Sequence, residues 1–287
     1  MSLRYALFGV LLFLAGVAAA TTLARWFIAH RTALIARLVN WQQRLQTRYP
    51  RASKFLIARF ARGEYLGLHL TVGLVISIAA MWLFAAITED VVRQESLTRF
   101  DVTLYDWLRT HSTPVGHTIT SVITRFGSQE VIASVALVVA IVLVIRREGL
   151  LVEAWIIALL GGELLNGTLK RIIHRPRPPY SVILSSQSWS FPSGHAMESL
   201  VAYGMAVYLM ITLLPGTRAR RRVIILAATT LILAIGFSRM YRGVHYFSDV
   251  VGGFAAGVLW LATCISGLEV ARGWKALERA KRWEETT

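Results

Sequence analysis

The chain has 287 residues, 55% of them hydrophobic and only 16% charged, with a mean hydropathy of +0.53. That balance departs from ordinary soluble composition and fits one polytopic membrane domain. The formal net charge of +15 would suit nucleic acid, but the basic residues fall between apolar runs rather than on a polar surface. No nucleic-acid partner is therefore expected, and the charge reads as membrane topology and contact with anionic lipid. The single cysteine, Cys264, sits inside an apolar run, which excludes an intramolecular disulfide framework and a zinc-type cluster.

A bilayer core of about 30 Å takes roughly 20 apolar residues in a helix. Stretches approaching that length occupy 5–28, 66–87, 131–145, 150–168, 197–214, 224–237 and 250–268. Three of them are weak as spans: 131–145 and 224–237 are short, and 150–168 contains Glu153 and Glu163. The first run, with Arg4 ahead of it and Ala18-Ala19-Ala20 within it, resembles a cleavable signal peptide. We read it instead as an uncleaved anchor, because Arg31, Arg37, Arg44, Arg48, Arg51, Lys54, Arg59 and Arg62 follow without an acid and place that segment in the cytoplasm. Leu34, Ile35, Leu38, Trp41 and Leu45 among those arginines suit an amphipathic helix lying on anionic headgroups; a solvated basic linker broken at Pro50 fits as well.

Threading onward, 88–130 has balanced charge and is expected as an outer loop. Arg146-Arg147 and Arg218 to Arg222 then return to the inside, and a charged tail follows residue 268. This parity puts 169–196 and 238–249 outside, although they carry Lys170, Arg171, Arg175, Arg177, Arg239 and Arg242. Cations held on the outer face against the charge rule suggest an anion to bind. The expected fold is an all-α transmembrane bundle: an anchor and basic segment over 1–63, a membrane domain over 64–270 and a cytoplasmic tail over 271–287. Gly253-x-x-x-Gly257 in the last run reads as close helix packing within that domain.

Three polar clusters interrupt the apolar pattern, and such residues are costly near a membrane without a purpose. In the first, Lys170 to Pro179, the prolines end a helix and extend the chain, so Lys170 and Arg177 reach one site from a helix end and a stiff segment. A point charge and a planar fork both suit phosphate oxygens, although an interfacial headgroup contact would look the same. In the second, Phe191-Pro192-Ser193-Gly194-His195, a small residue and a glycine ahead of a helix let backbone N–H groups approach an anion, with His195 above it. In the third, Ser238-Arg239 precedes His245 and Asp249, which share a helix face if the helix begins near 245. Asp249 would then take the Nδ1 proton and leave Nε2 free to attack; a capping aspartate beside a packed histidine is the plainer alternative.

Together, Lys170-x6-Arg177-Pro178, Pro192-Ser193-Gly194-His195 and Ser238-Arg239-x5-His245-x3-Asp249 resemble, in order, the signature of the type 2 phosphatidic acid phosphatase superfamily. That superfamily also holds vanadium haloperoxidases, glucose-6-phosphatases and bacterial acid phosphatases. The motifs span 170–249, and the surrounding runs resemble the six-helix membrane members; 1–63 lies outside the resemblance. Arg175-Pro176 offers a second Arg-Pro register, and the family spacing selects Arg177.

The resemblance implies that His245 attacks phosphorus to form a phosphohistidine, oriented by Asp249. His195 protonates the leaving oxygen and later activates water. Lys170, Arg177, Arg239, Ser193 and the Gly194 N–H surround the phosphate oxygens and need no metal or other cofactor. The implied substrate is a lipid phosphate entering from the outer, periplasmic side of a bacterial inner membrane. Phosphatidate, phosphatidylglycerophosphate, undecaprenyl diphosphate and lipid A phosphates stay open, as does the oligomeric state. Phosphotransfer between lipids would use the same residues, and a non-catalytic lipid-phosphate binder should lack one of His195, His245 or Asp249.

Overall fold

The computed structural model describes residues 65–179, 189–214 and 216–286. The expected anchor and amphipathic segment within 1–63 lie outside the described residues. Those described belong to one compact unit, Leu66–Thr287, with Tyr65 ahead of it.

The described residues form eight helices in chain order: α1 Tyr65–Arg93, α2 Ser96–His111, α3 Pro114–Arg125, α4 Gln129–Ile145, α5 Gly149–Ile173, α6 Gly194–Leu213, α7 Arg218–Tyr241 and α8 Phe247–Thr286. Among the described residues, six stretches are long and apolar enough to cross a membrane, with Pro114–Ile145 acting as one span through α3 and α4. The chain is an integral membrane helix bundle. Its helices turn Leu74, Trp82, Ile145 and Leu164 outward, which suits lipid and would be unfavourable in water.

These boundaries add detail in three places. The outer loop 88–130 contains α2 and α3, because α2 has the alternating charge of an interfacial helix and no long apolar run to announce it. Lys170 and Arg171 lie in the last turn of α5, and Ser238 and Arg239 in the last turn of α7, so the spanning helices carry these polar residues to the site themselves. Helix α8 continues through the segment expected as a tail.

Helix α6 is central, lying against α5, α7, α8 and α4. One core gathers Leu143, Trp155, Ala158, Val201, Met205 and Leu268 from four helices. Within it the indole N–H of Trp155 donates to Ala136 O at 3.0 Å, and that of Trp260 to Ala158 O at 2.9 Å. These bonds matter because an indole N–H left unpaired in an apolar interior is costly. The α6–α8 contact depends on small residues: a Cβ on Gly253 would lie 2.7 Å from Ser193 O, and one on Gly257 3.2 Å from Met197 O. The Gly253-x-x-x-Gly257 face is thus used inside the domain, pressing α8 onto the start of α6.

Candidate active site

Helix α5 ends on His174, whose left-handed backbone (φ 52°) turns the chain out sharply. Pro176, Pro178 and Pro179 keep the following segment non-helical. Backbone bonds then tie the three motifs together. Ser190 N donates to Arg175 O at 2.8 Å and Ser193 N to Asp249 O at 2.9 Å. Ser190 Oγ also donates to Pro176 O at 3.0 Å.

Ser193 is the N-cap of α6, but its side chain caps nothing. Elsewhere the chain uses this chemistry in the ordinary way: Thr113, Ser128 and Thr217 each accept a backbone N–H in the first turn of their helices. Ser193 Oγ is instead buried without a hydrogen-bond partner among the described residues, and so is Arg239 Nε. Buried donors of this kind are costly unless an acceptor reaches them. Arg239 is held on its far side, where Nη1 donates to Thr124 Oγ1 at 2.7 Å. A Cβ on Gly194 would lie 3.3 Å from Lys170 Nζ, so the absent side chain leaves room beside that ammonium. Arg239, Lys170, Arg177 and His245 all lie within electrostatic reach of His195. The sequence-derived set is therefore assembled in one place, with three cations around the start of a helix.

His245 does not lie on the helix as expected. Helix α8 starts at Phe247, and Asp249 in its first turn accepts the Tyr246 N–H at 2.9 Å through Oδ2 while His245 Nδ1 stands 3.4 Å from that oxygen. The carboxylate thus caps the helix and faces the imidazole at once, which merges the two readings the sequence left open. On the other side of the ring, Arg177 Nη1 approaches Nε2 at 3.3 Å and donates to Val244 O at 3.0 Å. Burial pushes His245 down to about 4; Asp249 works against this, and Arg177 and Arg239 add to it. The ring is neutral near neutral pH, as a nucleophile must be.

Arg175, set aside by spacing, occupies the heart of a buried network. Its Nη1 donates to Asp249 Oδ1 and to Ser248 Oγ, each at 2.6 Å, and Nη2 to Asp101 Oδ2 at 2.7 Å. Ser248 returns its N–H to Asp101 Oδ1 at 2.9 Å and its hydroxyl to Oδ2. The guanidinium also lies 4.5 Å from the centroid of the Tyr246 ring. Burial acts against its charge, but Asp249 and Asp101 outweigh burial and hold it above its ordinary value. Two carboxylates neutralise Arg175 directly. Sequence reasoning missed Asp101 and Thr124 because both belong to the segment read as an outer loop; an acid on the apolar side of an amphipathic α2 was the available signal.

Residues 151–271 match the family model described as PAP2 superfamily. Over 97 residues the chain is 37% identical to phosphatidylglycerophosphatase B of Bacillus subtilis (strain 168), covering 34% of this chain. The chain spans about half the length of that relative, 48% of it. The fold is also that of the crystal structure of a transmembrane PAP2 type phosphatidylglycerolphosphate phosphatase from Bacillus subtilis, with a TM-score of 0.59 and 23% identity, covering 66% of this chain and 93% of that one.

Proposed function

We propose that this chain, a member of the PAP2 superfamily through residues 151–271, is a membrane lipid phosphatase that works through a phosphohistidine on His245. The observation that carries this reading is the pair of buried donors without partners, Ser193 Oγ and Arg239 Nε, contributed by two different motifs. An acceptor with several oxygens and negative charge answers both, and a phosphate has that chemistry.

In the first half of the reaction, His245 Nε2 forms a bond to phosphorus as the bond from phosphorus to the leaving oxygen breaks. His195 gives that oxygen a proton, so the lipid departs as an alcohol, or as a phosphate if the substrate is a diphosphate. Asp249 balances the charge that develops on the His245 ring. In the second half, neutral His195 takes a proton from water, the water oxygen attacks phosphorus, and the P–N bond breaks to release phosphate. Lys170, Arg177 and Arg239 stabilise the charge on the phosphoryl oxygens throughout, the kind of fixed electrostatic support that contributes most to such reactions. The relative named for phosphatidylglycerophosphate supports a phosphorylated lipid as substrate. The cations held at 169–196 and 238–249 against the charge rule support a site on the outer side of the membrane.

Phosphate release from a panel of purified lipid phosphates, with and without EDTA, tests the proposal. Wild-type protein is expected to release phosphate in both conditions, and His245→Ala and His195→Ala to lose release while remaining folded in detergent. Undiminished release by either variant rejects the assignment.

A further inference from the structure

The phosphate cage borders a second polar feature that the reaction above does not use. Glu198 lies one turn into α6, and the same Cβ position on Gly194 that approaches Lys170 would lie 3.0 Å from Glu198 Oε1. Glu198 also lines a cavity of about 430 Å³ between α4, α5 and α6, together with Gln129, Glu163 and the apolar Ile132, Ala136 and Leu160. Glu163 is exposed on α5 between Leu160 and Leu164, both outward-facing on the same helix. It acts electrostatically on Glu198, as does Lys170. A carboxylate on a membrane-facing surface is costly, and two beside one apolar cavity imply a use.

We infer that Glu198 and Glu163 form a subsite for the leaving group, one that accepts lipid phosphomonoesters carried on a hydroxylated spacer and rejects lipid diphosphates. The inference rests on the proposed function and deepens it. Glu198 is the side chain shared by the two features, beside Gly194 on one side and in the cavity wall on the other, so a leaving group that extended past Gly194 from a phosphorus held by Lys170, Ser193 and Arg239 would meet Glu198 first. In a diphosphate, the leaving oxygen belongs to a second phosphate, whose negative charge would meet Glu198 and then Glu163. That like-charge contact is penalised in a site with little water to screen it. A glycerol spacer presents one hydroxyl next to the leaving carbon, which a carboxylate or the Gln129 amide oxygen accepts, and it holds its single phosphodiester charge three carbons away from the leaving oxygen, while the apolar wall receives the chain beyond. A site with buried acceptors discriminates by what is left unpaired, so the selection acts on the group next to the ester oxygen.

The experiment compares kcat/KM for phosphatidylglycerophosphate and for farnesyl diphosphate, using the purified full chain in detergent. Wild type is expected to favour the glycerol-linked monoester. Glu198→Gln and Glu163→Gln should each raise the diphosphate-to-monoester ratio on the order of tenfold, as expected for removing one partly screened like charge. Glu198→Asp, which keeps the charge, should leave the ratio near wild type. The ratio cancels any general loss of activity, and Glu163, exposed on the surface of α5, provides a variant that does not disturb the core. A wild type preferring the diphosphate, or a ratio unmoved in both glutamine variants, overturns the inference and leaves the phosphatase reading standing. Failure of wild type to hydrolyse either lipid overturns the phosphatase reading itself.

Discussion

Arg177 Nη1 lies 3.3 Å from His245 Nε2 and thereby defines the tautomer of the ring. A guanidinium only donates, so Nε2 must offer its lone pair, and the ring proton resides on Nδ1, facing Asp249 Oδ2 at 3.4 Å. In the proposed reaction the same lone pair attacks phosphorus, so Arg177 would give way to the phosphoryl group and then bind its oxygens. Arg177→Ala is expected to lower kcat by about 10² to 10³, the usual cost of losing one such donor. Steady-state phosphate release measures this; Arg177→Lys, which keeps charge without the fork, should recover only part of it.

Ser193→Ala separates a capping role from a binding role by the sign of the effect. A helix cap would cost about 1 kcal/mol when removed. Ser193 Oγ caps nothing and is buried without a partner among the described residues, so its removal should leave the thermal midpoint in detergent unchanged or raised. Activity should nevertheless fall, with the loss appearing in kcat/KM. A lowered midpoint with unchanged activity would assign the hydroxyl to the helix instead.

Arg175→Gln should damage the protein through Asp249. It leaves Asp101 and Asp249, both fully buried, without their shared cation, and breaking a buried pair from one side costs about 3–5 kcal/mol. Thermal unfolding in detergent reads that loss. Pairing Arg175→Gln with Asp101→Asn should be less harmful than the sum of the two single changes, because the second removes a charge the first left stranded.

The pH dependence follows from burial of His245. Its value of about 4, against an ordinary 6.5, means that the unfolded chain binds a proton in this interval and the folded chain does not. Stability should therefore be highest above pH 6.5 and decline as the pH falls towards 4. The acid limb of kcat/KM set by His245 should lie near pH 4. Asp249→Asn removes a group that favours the charged ring, so that limb should move lower still, along with a large loss of rate. A limb moving upward in the variant would contradict the arrangement described here.

Gly253→Ala places a methyl group 2.7 Å from a backbone oxygen, Ser193 O, which has no rotamer to escape into. Helices α6 and α8 must separate, at a cost of about 1–3 kcal/mol for overpacking. Because Ser193 and Asp249 are joined across that contact, activity should fall more steeply than stability. Activity and thermal midpoint measured on the same preparation test the difference.

Much of this protein was legible in its residues. Apolar run length marks membrane helices because hydrocarbon demands internally satisfied backbone over a set thickness, and the runs from 66–87 to 250–268 all became helices. The spacing of Lys170, Arg177, Ser193, His195, Arg239, His245 and Asp249 singled out the residues that the fold brings together, because such polar groups are costly near lipid. Tertiary structure decided what depends on contacts between distant segments. Asp101 and Arg175 are separated by 74 positions, and nothing local marks them as a pair. The spacing that chose Arg177 was silent on what Arg175 does. The placement of His245 ahead of α8 rather than upon it, and the turning of Ser193 away from the helix it begins, likewise follow from packing: Gly253 brings α8 against Ser193, and the bond from Ser193 N to Asp249 O joins the two helix starts. Composition and spacing carry the energetic preferences of single residues and short segments; only the packed chain determines which charges neutralise one another.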